Sequence, residues 1–371
     1  MLAPSPASFS AIGRYALQIY AELSRHFEVD FFGENGLQQF SPVRFNLLEH
    51  SGRYFPATAF AERAMTYDHV LYHLGNSDFH AVTAINAFLN PGTAVVHDTY
   101  LNGLIASSVN AGIVPGELAA QVGTVDEALE LKRSSGLAWI VSRQKRTTTF
   151  SSFASGAIEE MPLEGAEVTC LPQPVGVPLR RVRDGLPCTV GFPGIVGSSK
   201  GLGLAAKVAA LPGVTVKVFG FDPWFMSSQI PKHENVRFLA NLSDLRFDEE
   251  LRSTHIVVNY RNAYHGETSR STLEAMAAGA VVVVRRVGWF DELPDEVVVK
   301  VDTEEEVVQA VLRLVQDPDL RATIGTAARE YLAEAHSYSD HARRLASIVR
   351  ESLGANPPTL AAPALVGNER G

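Results

Sequence analysis

Short apolar runs, each closed by polar residues or glycine, alternate with helical-period segments along nearly the whole chain. No other feature limits the fold so strongly. In the first half FEVDFFG (27–33), DHVLYHLGN (68–76), TAVVHD (93–98), TTTF (147–150) and VTCLPQPVGV (168–177) read as strands. In the second half CTVGFPG (188–194), VTVKVFG (214–220), VRFLA (236–240), HIVVNY (255–260) and AVVVVRR (280–286) do the same. Apolar residues recur at helical spacing over 12–25, 201–211, 272–279, 304–317, 319–335 and 339–353. Unbroken branched runs such as AVVVV suit strands buried on both faces, and strand–helix alternation places helices over parallel sheets. The predicted class is α/β.

A chain of 371 residues exceeds what one hydrophobic core usually organises, so two domains are expected. The polar, basic, proline-bounded stretch PLRRVRDGLP (178–187) reads as the linker between them. The expected division is 1–178, 188–336, a last helix over 337–353 and a flexible tail over 354–371. In a doubly wound domain a strand precedes the first glycine-bearing turn and helix. Here the chain opens at the turn SFSAIGRY (8–15), so the first strand of the N-terminal domain is read as missing.

Acidic residues outnumber basic ones, 41 to 32, giving a formal charge of -9 and disfavouring a nucleic-acid partner. Two cysteines, Cys170 and Cys188, make neither a disulfide framework nor a zinc site, and a reducing cytoplasm fits them. No HExxH or CxxC pattern occurs, and no metal site is expected. No apolar run reaches the length of a membrane span, although peripheral contact with a membrane stays open. The basic residues Lys132, Arg133, Arg143, Lys145 and Arg146 read as a solvated face, and Trp139, Trp224 and Trp289 as core or cleft wall.

Four segments are candidates for chemistry. In RNAYHGETSRSTLEAMAAG (261–279), Gly266 permits a tight turn and Thr268 or Ser269 can cap the helix that follows. A helix start attracts anions, worth ~0.3–1 kcal/mol from the dipole alone. Glu267 lies just outside that helix and Glu274 within it, while Arg261 and Arg270 add positive charge. In GFPGIVGSSKGLG (191–203), Gly194, Gly197 and Gly201 allow close backbone approach and Lys200 places a cation at a helix entrance, although the stretch matches neither a Walker loop nor GxGxxG. In the first half, HLGNSDFH (73–80) and HDTYL (97–101) bring Asn76, His97 and Asp98 to strand ends, where α/β domains bind ligands. Ser10 and Gly13 mark the entrance of the first helix.

Together, in this order and spacing, SAIGRY, LGNSDFH, VVHD, KG, GETS…EAMAAG and VGWFDELPD resemble the GT-B glycosyltransferases, and within them glycosyltransferase family 4. The resemblance implies two Rossmann-like domains facing one cleft, the first taking the acceptor and the second a nucleotide-diphosphate sugar. It also implies that the last helix crosses back to the first domain. By position, His97 would face the transferred sugar, Glu267 its hydroxyls and Glu274 the ribose. Lys200 and the Thr268–Ser269 helix start would hold the diphosphate, and the Ser10–Gly13 loop would approach the phosphates or the acceptor. The implied reaction is retaining and metal-free, uses no cofactor beyond the donor itself, and ends on a hydroxyl of a glycan, lipid-linked saccharide or small molecule. Three departures stand out: the missing first strand removes a central element of the acceptor domain, and in the second domain six residues separate the glutamates where the family has seven and Ile195 stands where many members carry arginine; the last two bear on activity. They motivate an alternative, a non-catalytic GT-B protein acting as a sugar-binding or scaffolding partner of another glycosyltransferase.

Overall fold

A computed structural model describes residues 1–6, 8, 10–35, 53–101, 103–104, 135–161, 163–176, 188–195, 203–221, 233–355 and 359–360. The chain divides into two compact units, one of residues 1–171 with 344–371 and one of residues 172–343. The linker read at 178–187 lies outside the described residues.

The first unit carries a seven-stranded parallel sheet in the order β3-β2-β1-β4-β5-β6-β8. Its strands are β1 (Leu2–Pro4), β2 (Phe31–Glu34), β3 (Tyr54–Pro56), β4 (Leu71–Leu74), β5 (Thr93–Val96), β6 (Arg146–Thr149) and β8 (Val168–Cys170). Helices Ala11–Leu23, Ala81–Leu89, Ser135–Val141 and Ser152–Glu159 accompany them. The expectation of a missing first strand is overturned. Leu2–Pro4 is that strand, paired in parallel with β2 on one side and β4 on the other, with Leu2 and Ala3 fully buried. Three residues ending in proline show no period that could mark them as a strand, yet both neighbours supply ladders.

Helix Ala11–Leu23 follows directly. Ser10 caps it, its hydroxyl accepting from the N–H groups of Ile12 and Gly13. Gly13 is dictated by packing, because a Cβ there would stand 2.6 Å from the Ser5 carbonyl oxygen at the end of β1.

The second unit has a six-stranded parallel sheet in the order β11-β10-β9-β12-β13-β14. Its members are β9 (Cys188–Ile195), β10 (Val214–Phe221), β11 (Val236–Ala240), β12 (Ile256–Asn259), β13 (Val281–Arg285) and β14 (Val299–Val301). The valine run of β13 shows why the strands read as continuous. Val281 and Val283 enter one core with helices Gly203–Ala209 and Glu304–Gln316, while Val282 and Val284 enter another with helices Arg270–Ala277 and Pro318–Ala335. Successive side chains point to opposite faces, both covered. Trp289 belongs to the second core, whereas Trp139 in the first unit stacks on Phe88.

Helix Tyr338–Ser352 begins in the second unit and continues into the residues grouped with the first, where the Ser352 hydroxyl lies 2.9 Å from that of Thr93. Within the segment read as a flexible tail, β15 (Thr359–Leu360) pairs antiparallel with β7 (Leu163–Glu164).

Candidate functional site

In the second unit the segment between β12 and helix Arg270–Ala277 gathers most of the expected donor residues. Asn259, the last residue of β12, is buried and donates from Nδ2 to the hydroxyls of Ser269 and Thr272, both at 2.8 Å. The strand end thereby fixes the helix start. Of the two capping candidates, Ser269 is the cap, its Oγ accepting the Thr272 N–H at 3.3 Å. Thr268 instead donates its hydroxyl proton to the side-chain oxygen of the buried Gln173 at 2.5 Å. Gln173 also accepts through its carbonyl from the Nδ1–H of His336 at 2.6 Å, so the segment after β8 buttresses this turn.

Gly266 has φ 72, a left-handed conformation that turns the chain immediately before Glu267. The Glu267 carboxylate accepts the His265 N–H at 3.0 Å and lies 3.8 Å from Arg261, with both side chains less than one-fifth exposed. Arg261 in turn sits over the Phe290 ring. Arg270 and Glu274, expected to face a ligand, face each other: Arg270 Nε lies 2.8 Å from Glu274 Oε1, and Arg270 Nη2 donates to the Tyr338 hydroxyl at 3.2 Å. The pair is nearly buried, at 9% and 12% side-chain exposure. Burial alone would depress the Arg270 guanidinium, but the Glu274 charge and the Tyr338 hydroxyl outweigh it and raise its pKa above the ordinary arginine range.

Gly194, near the end of β9, lies beside Gly220 of β10. At Gly220, φ is 141 and a Cβ would stand 2.0 Å from the Gly194 carbonyl oxygen, so the two strand ends meet backbone to backbone. Lys200, Gly197 and Gly201, which follow, lie outside the described residues, as does Trp224.

In the first unit the expected residues converge at the carboxyl ends of β4 and β5. His97 is 7% exposed and His73, on β4, is fully buried. Their rings meet, His73 Nδ1 lying 3.3 Å from His97 Nε2. Tyr15 approaches both imidazoles edge-on at 5.4 and 5.2 Å between centroids, and Phe150 packs on His97 at 4.7 Å. The buried His80 donates from Nδ1 to the His73 carbonyl at 2.8 Å. Asn76 and Asp98 bond to each other, the Asn76 N–H donating to Asp98 Oδ2 at 3.2 Å, and Asn76 Oδ1 accepts the Leu104 N–H at 3.1 Å. Ser10 and Gly13 serve the entrance of the first helix as described.

Sequence reasoning missed Asn259, Gln173, His73 and Glu34. Asn259 was findable as the polar end of HIVVNY and His73 as a titratable residue inside the apolar run DHVLYHLGN. Gln173 had no local signal. Glu34, at the end of β2, accepts from the N–H groups of Val82 and Thr83 at 2.7 and 2.9 Å and from the Thr83 hydroxyl, closing the start of helix Ala81–Leu89 from 48 residues away. Among the described residues no group of three or more His, Cys, Asp or Glu could hold a metal ion. Among the same residues no helix is long and apolar enough to cross a membrane.

Comparison with known proteins bears on this arrangement directly. Residues 203–347, which include the Gly266–Glu274 segment, match the model of a family described as glycosyl transferase-like. No curated protein sequence matches the chain. Among solved structures it is similar to Anabaena HepE in complex with UDP-glucose, at 15% identity and TM-score 0.67, covering 94% of this chain and 98% of that one. It is similar to sucrose-phosphate synthase from Thermosynechococcus elongatus at 15% identity and TM-score 0.63, covering 91% and 92%. A glycosyltransferase from Rickettsia africae aligns at 13% identity and TM-score 0.63, covering 95% and 97%. Residues 203–347 thus match a glycosyl transferase-like family model, and the chain has the GT-B fold, with two Rossmann-like units.

Proposed function

We propose that this protein is a retaining glycosyltransferase of the family 4 type that moves a sugar from a nucleotide-diphosphate sugar to a hydroxyl acceptor. The observation that carries the reading is the Gly266–Glu274 turn. At the carboxyl end of a parallel sheet it joins a capped helix start, a carboxylate and a guanidinium, within a segment that matches a glycosyl transferase-like family. Backbone N–H groups at that helix start suit the diphosphate. Glu267 suits sugar hydroxyls, and Lys200 supplies a second cation for the leaving group. The first unit takes the acceptor, with His97, Asn76, Asp98 and the Ser10–Gly13 loop on its side of the reaction.

The acceptor oxygen bonds to the anomeric carbon on the face from which the diphosphate departs. The acceptor proton passes to a phosphate oxygen of the leaving group, so no separate base is required. Fixed positive charge at the diphosphate lowers the barrier, because it is organised before charge develops there. The donor is the only co-reactant, no metal takes part, and the cytoplasm is the proposed setting. Isothermal titration with UDP, UDP-glucose and guanosine-diphosphate sugars tests the reading. Micromolar binding of one donor, followed by sugar transfer that Glu267→Ala slows by about 10- to 100-fold, is the expected result. No binding of any donor would refute it.

The Arg270–Glu274 pair favours one alternative, because it occupies the carboxylate expected at the ribose. A non-catalytic sugar-binding or scaffolding protein would bind a donor and never turn it over.

A further inference from the structure

The two facing imidazoles of the first unit form a coupled pair. His73 sits on β4 opposite Val95 of β5, and His97 lies two residues beyond Val95, so both side chains leave the same face of the sheet. The His97 N–H donates to the Leu74 carbonyl at 2.8 Å, continuing the ladder and fixing where the His97 ring starts. His80 holds the His73 backbone from behind through its Nδ1. Tyr15 and Phe150 wall the rings in. A ring nitrogen of one histidine therefore meets a ring nitrogen of the other at 3.3 Å with little room to turn away.

We propose that His73 is a positioning residue for His97, sharing one proton with it between Nδ1 of His73 and Nε2 of His97 and so coupling the tautomer of the His97 ring to its own and fixing that ring's orientation. The proposal rests on the glycosyl-transfer reading only for what His97 then does. The chemistry of the pair follows from geometry. A neutral imidazole carries one N–H, and a hydrogen bond needs a donor on one side and a lone pair on the other. If the proton is on His73 Nδ1, the His97 Nε2 accepts and the His97 proton is on its Nδ1. If the proton is on His97 Nε2, the His73 Nδ1 accepts and the His73 proton is on its Nε2. Either way both rings adopt the same tautomer. Two charged rings would set N–H against N–H at 3.3 Å, so the pair carries one positive charge at most. His97 thus presents one defined nitrogen, Nδ1, away from its partner, and a buried histidine that orients the outer one explains why β4 contains an imidazole at all.

Long-range proton–nitrogen spectra of the full chain labelled with 15N-histidine, at neutral pH, test this directly, with each ring assigned by its own substitution. The expected result is one shared tautomer for His73 and His97 in the wild type. In His73→Phe the His97 nitrogens shift toward a tautomer average, and His73→Asn, whose amide reaches the position of Nδ1, restores the single form. With UDP-glucose, or whichever donor titration identifies, His73→Phe lowers kcat about tenfold at unchanged KM, and His73→Asn recovers it to within about threefold. Opposite tautomers, or an unchanged His97 spectrum in a folded His73→Phe protein, would overturn the proposal, as would a His73→Phe enzyme with full kcat. If the spectra behave as expected and the wild type turns over no donor, the pairing stands and the glycosyl-transfer reading fails.

Discussion

Three residues separate function from stability at the residue scale. Glu267 is held by one backbone N–H and a long approach of Arg261, so its removal disturbs little packing. Glu267→Ala is expected to lower kcat/KM by about 10- to 100-fold, the value of a hydrogen bond to a charged group, with thermal melting essentially unchanged. Arg270 behaves oppositely. Removing it strands Glu274 in a nearly buried position, and breaking such a pair costs about 3–5 kcal/mol. Arg270→Met should therefore destabilise the second unit by that order in urea denaturation, and the double variant Arg270→Met with Glu274→Leu should recover most of the loss. Were the single and double variants equally unstable, the loss would belong to Arg270 itself and not to a stranded Glu274 carboxylate. At Gly220 the backbone leaves no choice: φ 141 disfavours any L side chain and a Cβ would collide with the Gly194 carbonyl. Gly220→Ala should cost about 3 kcal/mol or more.

Long-range caps matter most at the level of single elements. Helix Ala81–Leu89 has no side-chain cap of its own at His80, and Glu34 of β2 supplies the acceptor instead. Glu34→Ala leaves buried N–H groups unmet and is expected to cost about 2–3 kcal/mol. Burial pushes the Glu34 carboxyl above its ordinary pKa, against the opposing hydrogen bonds from Val82 and Thr83. Its ionisation therefore costs the folded state more than the unfolded one, and stability falls as pH rises from about 4.5 through the raised value. The stability of Glu34→Gln relative to wild type should rise between pH 4 and 7, and a flat or falling difference in denaturation curves would contradict this. Elements with a period were legible in the sequence: the valine strand Val281–Arg285, strand Thr93–Val96 and the last three helices. What escaped was non-periodic or non-local. Leu2–Pro4 is too short to show alternation, and the cap of Ala81–Leu89 comes from another strand. In the candidate site, Gly266, Glu267 and the Ser269 cap were legible because turn and cap chemistry is local. The Arg270–Glu274 pair and the Gln173 buttress were not, since each depends on which partner the fold delivers.

For the whole molecule, buried neutral histidines determine how it meets acid. Burial lowers the pKa of both His69 and His80 to about 4, with Lys145 adding to the effect at His69 and the His73 carbonyl opposing it at His80. Both belong to the first unit, where His69 Nε2 lies 2.9 Å from the Thr93 hydroxyl and His80 Nδ1 holds the His73 carbonyl. A histidine that titrates lower when folded than when unfolded favours the folded chain in its neutral form. The stability it protects is complete above pH 6.5, declines as pH falls from 6.5 toward 4, and levels off below. Each shift corresponds to about 3 kcal/mol at full effect, so two of them consume much of an ordinary domain's margin. In the second unit His336 is also lowered by burial, with its bond to the Gln173 carbonyl opposing, and adds to the loss in the same direction. The protein should lose most of its resistance to urea between pH 6.5 and 4, with the first unit melting earliest in calorimetry. His80→Asn lacks the titrating ring, so it should start less stable at pH 7.5 and fall less steeply with acid. Parallel pH profiles for wild type and His80→Asn would assign the acid sensitivity to other groups.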